Sequence, residues 1–188
     1  MEGRVFLILA VLLAGCAGSV NDAVYRFVGR EGYDAATEER SLGQQEDDAR
    51  ISGQIKGELL VSSVEGTGTM GVFCRNGIVV LAGVVEHGSK AGGEAVSIAR
   101  QIQGVRKVET YFLPSQSLMR DFLIKVELYF EMALDSDLKV DQMDMAVIDG
   151  HVVLVGVVSS RSKAEKIVEK ARATRGVKAV KSFIQVAR

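Results

Sequence analysis

The stretch that decides the fold reads NGIVVLAGVV at residues 76–85, and a close copy, DGHVVLVGVV, occupies residues 149–158. Each copy opens with Asn-Gly or Asp-Gly, pairs that readily adopt the positive backbone dihedral angles of a tight hairpin turn. An apolar run follows each turn, which is typical of a β-strand. The two copies lie 73 residues apart, so the sequence predicts one structural unit that occurs twice.

The similarity extends on both sides of the two turns. The matching pairs are Asp48 and Asp121, Ile51 and Ile124, residues 89–91 and 162–164, and residues 104–108 and 176–180. Matches in the same order along the chain predict two tandem domains, at residues 48–113 and 119–188. A short joint at residues 114–118, which contains the only proline, Pro114, connects them.

Each domain has the predicted element order αββαβ. Apolar stripes at helical spacing predict two helices in each domain. The stripes of the first helices are Ile51, Ile55 and Leu59, and Ile124, Leu128 and Met132; those of the second helices are Ala95, Ile98, Ala99 and Ile102, and Ala164, Ile167, Val168 and Ala171. Gly104 and Gly176 are expected to end the second helices in a left-handed conformation.

Strands account for the rest of each domain. Alternating apolar residues precede each hairpin turn, and a last strand closes each domain. The alternating residues are Met70, Val72 and Cys74, and Met143, Met145 and Val147; the last strands are residues 107–113 and 178–186. The predicted fold class is therefore α+β, with a small mixed sheet in each domain and two helices on one face of it.

The first residues have the layout of a secretory signal, in which a basic residue, Arg4, precedes an apolar run at residues 5–12. This run is too short for a transmembrane helix, which needs about 20 apolar residues. We therefore predict a cleaved signal peptide at residues 1–15 and a linker at residues 16–47. The linker is rich in Gly, Glu, Arg, Gln and Thr between residues 29 and 45, which is typical of a flexible tether.

The end of the predicted signal, LAGC at residues 13–16, resembles the lipobox of bacterial lipoproteins. The resemblance implies that Cys16 is acylated, becomes the first residue of the mature protein and anchors it to a membrane. Ala17 stands where an inner-membrane retention signal would have Asp, which implies the outer membrane, with the protein facing the periplasm. The alternative is an ordinary cleaved signal that leaves Cys16 as a spare thiol.

Composition argues against several classes of protein. With Cys16 used for the anchor, Cys74 is the only cysteine left, so neither a disulfide framework nor a cysteine metal site is expected. The formal net charge of -1 offers nothing to attract nucleic acid. His87 and His151 occupy non-equivalent places in the repeat, so we predict no metal site and no cofactor. The sequence shows neither a nucleophile paired with a base nor a pair of catalytic carboxylates, so we predict no catalytic residues.

The repeated unit resembles the BON domain, a module of bacterial envelope proteins. The features that carry the resemblance are the first helix, the Asn/Asp-Gly hairpin with its VVLAGVV or VVLVGVV run, the second helix, and GVRKV or GVKAV. Two such units behind a lipobox are similar to the dual BON-domain outer-membrane lipoproteins. The stretch TEERSLGQQEDD, residues 37–48, is also similar to that family's approach to its first domain.

This resemblance implies a non-catalytic protein that binds anionic phospholipid through the first helix of its second domain and supports outer-membrane integrity. The chain departs from the family pattern in one respect. The family has a tryptophan near the start of that helix, whereas this chain contains no tryptophan and offers Phe122 and Leu123. Weaker or differently placed lipid binding is the expected consequence.

The first helix of the second domain, residues 121–133, is apolar on nearly every side. Opposite its stripe it carries Phe122, Leu123, Val126, Tyr129 and Phe130. A domain of this size has one core, so this second face needs a partner. The candidates are the first domain, another protein molecule and lipid, because large exposed apolar patches usually mark interaction sites.

Positive charge is concentrated at the end of the chain, where the stretch from Arg161 to Arg188 holds nine basic residues and two acidic ones. In the second helix of the second domain, the candidate lipid-binding residues are Arg161, Lys163, Lys166 and Lys170. Each basic side chain near an anionic membrane surface contributes about 1 kcal/mol. The alternative is a solvated helix face, on which Glu165 and Glu169 pair with Lys166 and Lys170.

Two functions fit these patterns. One is a lipid-anchored, non-catalytic envelope protein that binds anionic phospholipid. The other is an envelope scaffold that docks a protein partner, such as an outer-membrane assembly or peptidoglycan factor. The salt dependence of binding distinguishes the two functions. Lipid binding by basic residues weakens steeply as the salt concentration rises, whereas docking through an apolar face does not.

Overall fold

The computed structural model describes residues 40–115, 117–135, 138 and 143–187. The predicted signal peptide, Cys16 and residues 16–39 of the predicted linker lie outside the described residues. The elements are α1 (Leu42–Val61), β1 (Gly71–Arg75), β2 (Ile78–Val84), α2 (Ala91–Gln101), β3 (Lys107–Leu113), α3 (Leu118–Ala133), β4 (Met143–Ile148), β5 (His151–Val158), α4 (Arg161–Ala173) and β6 (Ala179–Val186). A short 3-10 turn, Thr67–Thr69, lies between α1 and β1. The predicted α+β class with two αββαβ repeats is confirmed.

Each repeat contains a three-stranded mixed sheet. In the first repeat β1 pairs with β2 in antiparallel orientation, and β2 pairs with β3 in parallel; the second repeat has the same order, β4-β5-β6. The antiparallel pairs are joined by two-residue turns. Asn76 has a φ of 53° and Gly77 a φ of 70°, and Asp149 and Gly150 have 48° and 76°. These positive angles are what the Asn-Gly and Asp-Gly pairs predicted.

The first helix begins earlier than the domain boundary that we placed at Asp48. Helix α1 starts at Leu42, inside the predicted linker, because Ser41 caps it. The Ser41 hydroxyl accepts from the Gln44 backbone N–H at 3.3 Å, and the Gln44 side chain accepts from the Ser41 N–H at 2.8 Å. This reciprocal capping box stabilises a polar, glycine-containing first turn. Its apolar spacing alone did not indicate a helix.

The second helices end earlier than predicted. Helix α2 stops at Gln101 and α4 at Ala173, because the next residues, Ile102 and Thr174, have extended backbone angles. Gly104 and Gly176 do have positive φ values, as expected, of 97° and 87°. They therefore shape the turn that leads to the last strand of each repeat.

Each repeat has a hydrophobic core between its sheet and its two helices. The predicted stripes of α1 and α3 are buried in these cores, with Ile55 and Leu128 fully inaccessible to solvent. Cys74 is buried in the first core. Burial and the adjacent Asp48 carboxylate raise the pKa of the Cys74 thiol to about 12, so this cysteine is a packing residue.

A third core joins the two repeats. Alternate residues of the central strands point away from the helices, and the two sheets meet through them. The buried residues of this core are Val80, Ala82, Ile148, Val153 and Val155, with Phe73, Tyr111 and Phe183 packed against them. Both sheets are thus covered on both faces, which explains why β2 and β5 are apolar without alternation. The two repeats belong to one compact unit, Glu38–Arg188.

Polar contacts surround the third core. Among the described residues, the polar contacts between the repeats include the ion pair of Arg75 with Asp144 at 2.7 Å and the hydrogen bond of the Tyr111 hydroxyl with His151 Nδ1 at 2.6 Å. The Gln185 side chain also forms hydrogen bonds with the Asn76 side chain at 3.1 Å and with the Arg75 carbonyl at 3.0 Å. His151 is therefore a half-buried contact residue between the sheets.

Candidate functional site

Helix α3 is held against its sheet by one face and by one carboxylate. Ile124, Leu128 and Met132 are buried in the second core. At the start of the helix, the Asp121 carboxylate accepts hydrogen bonds at 2.7 Å from the backbone N–H groups of both hairpin-turn residues, Asp149 and Gly150. The orientation of α3 is therefore determined by its packing and by its tie to the β4-β5 turn.

The side of α3 away from the core is apolar and open to solvent. We call Met119, Leu123, Val126, Phe130 and Leu134 the outer face of α3. Met119 is 63%, Leu123 46%, Phe130 37% and Leu134 77% exposed, and Val126 is half-buried. Exposed leucines and phenylalanines grouped on one helix face mark an interaction surface rather than a stable solvent-facing surface.

The remaining apolar candidates lie toward the flanks of the helix. Phe122 is half-buried, and Tyr129 is half-buried and packs against the second core. Of the five predicted apolar residues, Leu123 and Phe130 are thus the most accessible. Met119 and Leu134 were not predicted, because α3 begins at Leu118, before the residues that we assigned to it, and Leu134 is the residue that follows its last turn.

The first repeat provides an internal comparison for this face. At the repeat offset of 73, Met119, Leu123, Val126 and Phe130 correspond to Glu46, Arg50, Gly53 and Gly57 of α1. These four residues of α1 are all exposed. The same helix in the same fold therefore does without apolar residues at these positions. At the fifth position of the outer face, Leu134 corresponds to Val61, which is also exposed and apolar. The fold itself therefore does not require apolar side chains at the other four positions.

The described residues of the first domain do not pack against the outer face of α3. It packs on the second sheet through Ile148, Val153 and Val155, whereas Val152 and Leu154 of the same strand face the core beneath α3. Neighbouring strand residues point to opposite sides of a sheet. In the described part of the chain, the first domain thus lies on the sheet side away from α3.

The basic candidates lie on α4, which packs beside α3. Lys166 Nζ lies 3.0 Å from the Asp135 carboxylate and Lys170 Nζ lies 3.3 Å from it. Asp135 lies two residues beyond the end of α3, and its role was not predicted from the sequence. The repeat comparison offered no signal, because the contact spans two elements. Glu165, which we expected beside Lys166, lies 3.7 Å from Arg161.

The other basic residues differ in environment. Arg161 is fully exposed at the start of α4, and Lys163 is half-buried. Lys125, on α3 itself, is not a good candidate: burial lowers the pKa of its ammonium group, and the nearby Asp144 carboxylate opposes this effect only in part. The accessible positive charge next to α3 is therefore supplied mainly by α4.

Across residues 40–115, 117–135, 138 and 143–187, no group of three or more His, Cys, Asp or Glu side chains is arranged to hold a metal ion. No helix in the described part of the chain is both long enough and apolar enough to cross a membrane.

Comparisons with solved structures give distant matches. The chain is similar to CdsD, a structural protein of the Type III secretion system of Chlamydia trachomatis, at 14% identity and a TM-score of 0.31, covering 74% of this chain and 63% of CdsD. A second structure, of the CdsD C-terminal domain, matches at 14% identity and a TM-score of 0.30, covering 75% and 67%. This chain thus spans less than two thirds of the first of these proteins. No curated protein matches the sequence.

A family model gives a direct match. The BON domain model matches residues 47–112 and again residues 120–188. The two matches coincide with the two αββαβ repeats and cover most of the chain. The chain therefore belongs to the BON-domain family, with two copies of the domain in tandem.

Proposed function

We propose that this chain is a non-catalytic protein of the bacterial outer membrane, anchored through acylated Cys16, that faces the periplasm. Its second BON domain binds anionic phospholipid, and the protein helps to maintain the integrity of the membrane. The observation that carries this proposal is the exposed apolar outer face of α3, which the fold itself does not need.

The shape of this face suits a membrane surface. A helix that lies in the interface places its apolar side among the acyl chains and its polar side toward water. Leu123 and Phe130 are exposed on one side of α3, and Met119 and Leu134 extend the face to both ends. The opposite side is fixed in the protein core, so α3 would lie flat on the bilayer with the domain above it.

Charge favours anionic lipid as the occupant. Lys166 and Lys170 lie beside the end of α3, and Arg161 is exposed on the same domain. Each basic side chain near an anionic surface contributes about 1 kcal/mol at physiological salt. An acyl anchor supplies the second membrane attachment that stable binding requires. A modest affinity of α3 for lipid is then sufficient.

Vesicle flotation of the compact unit Glu38–Arg188 tests lipid binding without the anchor. We expect this unit to float with vesicles that contain phosphatidylglycerol, not with pure phosphatidylcholine, and to lose binding as salt rises. The double variant Leu123→Gln and Phe130→Gln should reduce flotation at least tenfold, because it removes apolar area without adding charge.

A matched control comes from the first domain. Leu60 and Val61 are exposed apolar residues at the end of α1, and the variant Leu60→Gln with Val61→Gln should float like the unmodified protein. Equal losses from both double variants would show a non-specific apolar effect. No flotation under any condition would reject lipid binding by this domain and favour a protein partner for the outer face.

The anchor is tested separately in cells. Replacing Cys16 by Ser should move the protein from the outer-membrane fraction to the periplasmic fraction, because the acylation site is lost. Cys74→Ser is the control and should leave the distribution unchanged, since the Cys74 thiol is buried in the first core. Outer-membrane localisation of the Cys16→Ser variant would contradict the proposed anchor.

A further inference from the structure

The two lysines beside α3 already hold an anion. Lys166 Nζ lies 3.0 Å from both carboxylate oxygens of Asp135, and Lys170 Nζ lies 3.3 Å from one of them. Lys170 also donates to the Glu131 carbonyl at 3.5 Å. The Glu131 carboxylate accepts instead from the Thr174 hydroxyl, at 3.2 Å. Asp135 is thus the carboxylate that bridges the two ammonium groups.

The ion pairs of Asp135 with Lys166 and Lys170 lie at the position expected for a lipid headgroup. Asp135 directly follows Leu134, the most exposed residue of the outer face. Phe130 lies about one helical turn before Leu134 on the same face. If the outer face enters the acyl region, the two ammonium groups lie at the level of the phosphates. The Asp135 carboxylate and the phosphate of an anionic lipid would then compete for the same pair of lysines.

The contacts allow such an exchange. The lysine side chains are partly exposed, at 42% and 31%, whereas the Asp135 side chain is only 15% exposed. Partly exposed ion pairs are weak and screened by salt. A phosphate can approach the lysines from the solvent side, and both ammonium groups remain paired during the exchange. The exchange deprives the Asp135 carboxylate, which is mostly buried, of its contacts with the two lysines, and this cost limits the affinity for lipid.

We propose that Asp135 is an internal competitor for the headgroup phosphate, so that anionic lipid binds by displacing Asp135 from Lys166 and Lys170. This inference rests on the proposed function and adds to it the headgroup contact and its regulation. Asp135 lowers the affinity of the free protein for anionic membranes and makes release reversible.

The experiment is vesicle binding by the Asp135→Asn variant of the compact unit. The amide keeps the shape of the side chain but removes the negative charge that competes with lipid for the lysine pair. We expect about fivefold tighter binding to phosphatidylglycerol vesicles, the effect of one additional unit charge at an anionic surface, and unchanged binding to phosphatidylcholine. A thermal melt by circular dichroism confirms that the variant is folded.

Glu165→Gln is the matched control. It removes the same charge from the same domain and also separates a carboxylate from a basic residue, Arg161, but it does not involve the lysine pair. A smaller gain than that of Asp135→Asn is expected. Equal gains would show a general charge effect and would overturn the inference.

A double-mutant test isolates the lysine pair. With Lys166→Met and Lys170→Met already present, Asp135→Asn should give no further gain, because the groups that it releases are absent. A full fivefold gain in that background would also overturn the inference.

The unmodified protein offers a readout that needs no variant. The ¹³C resonance of the Asp135 carboxyl group should shift when short-chain phosphatidylglycerol is added and remain in place with short-chain phosphatidylcholine. No shift with phosphatidylglycerol would exclude displacement. An equal shift with inorganic phosphate at matched ionic strength would assign the site to a soluble anion and contradict the lipid assignment.

Failure of the inference differs from failure of the proposed function. If neither the unmodified protein nor Asp135→Asn binds anionic vesicles, lipid binding by the second domain fails, and the inference fails with it. If the unmodified protein binds and Asp135→Asn binds no better than Glu165→Gln, the proposed function stands and only the competitor role of Asp135 is rejected.

Discussion

Asp48 and Asp121 perform the same structural task in the two domains. The Asp48 carboxylate accepts hydrogen bonds from the backbone N–H groups of Asn76 at 2.7 Å and Gly77 at 2.8 Å, and Asp121 repeats this at the second hairpin turn. Each aspartate ties the first helix to the β-hairpin of its own domain. The repeat offset identified the two residues as a pair, but their hydrogen-bond partners became visible only in the folded protein.

Asp48 has an additional partner. Its carboxylate forms an ion pair with Arg40 at 2.5 Å, and the two side chains are 4% and 6% exposed. The position that corresponds to Arg40 in the second domain is occupied by Leu113. We therefore predict that Asp48→Asn destabilises the protein by about 3 kcal/mol, because it removes the carboxylate charge from the buried ion pair with Arg40. Asp121→Asn should cost about 1 to 2 kcal/mol. Urea unfolding at neutral pH measures both, and equal losses would contradict the role of Arg40.

The same residue predicts the response to acid. Burial would raise the pKa of the Asp48 carboxyl group, but hydrogen bonds from Gly77, Cys74, Asn76 and Arg40 outweigh burial and lower it below its ordinary value. A lowered folded-state pKa contributes stability above the unfolded pKa of about 4, and this stability is lost as pH falls through the folded value. The stability difference between unmodified protein and Asp48→Asn should therefore shrink between pH 5 and pH 2. A constant difference would contradict it.

At the scale of the elements, the hairpin turn of the first domain contacts the turn that leads into its last strand, β3. The Gly77 backbone lies so close to the Gly104 carbonyl that a Cβ atom on Gly77 would be 2.8 Å from that oxygen. The Arg106 N–H also donates to the Gly77 carbonyl at 2.8 Å. The β-hairpin and the start of β3 are thus packed backbone to backbone.

This contact gives a prediction with an internal control. Gly77→Ala should destabilise the protein by about 3 kcal/mol, because it combines a left-handed alanine, which costs roughly 1 to 2 kcal/mol, with a backbone clash. Gly88 has a similar φ of 81°, but nothing lies within 4 Å of its Cβ position. Gly88→Ala should therefore destabilise the protein only by the cost of a left-handed alanine, roughly 1 to 2 kcal/mol. Thermal unfolding distinguishes them, and equal losses would show that the clash relaxes freely.

Helices α1 and α3 show how one element can carry different functions in two repeats. Their inner stripes are equivalent and buried. At four of the five outer positions α3 has an apolar side chain where α1 has a charged residue or glycine, and at the fifth both helices have an exposed apolar residue. Periodicity predicted both inner stripes. It also predicted a second apolar face on α3, but composition alone left lipid, protein and the first domain as alternatives for covering it.

For the whole molecule, the third core makes two domains into one folding unit. Its residues come from both sheets, and polar contacts surround it. Isolated BON domains of this chain would each expose an apolar sheet face. This arrangement also places the outer face of α3 on the side of the second domain that lies away from the first.

We predict that the unit Glu38–Arg188 unfolds in a single calorimetric transition. Ile148 is 3% exposed in the third core, and Ile148→Asp would bury an unpaired charge between the sheets. The variant should separate the domains and produce two transitions, or one at a temperature at least 10 °C lower. The control Ile184→Val, on the helix side of β6, should keep a single transition. An unchanged melt of Ile148→Asp would contradict the role of the third core.

The sequence by itself determined the repeat, the hairpin turns, the inner helix stripes and the family, because these depend on spacing between near neighbours in the chain. It also indicated an unsatisfied apolar face on α3 and a basic second helix. Only the tertiary structure decided that the two sheets pack face to face, because a strand that is apolar on both sides does not specify what covers its second side. It alone placed Asp135 between Lys166 and Lys170, since an ion pair between different elements depends on how helices pack and leaves no periodic signal in the chain.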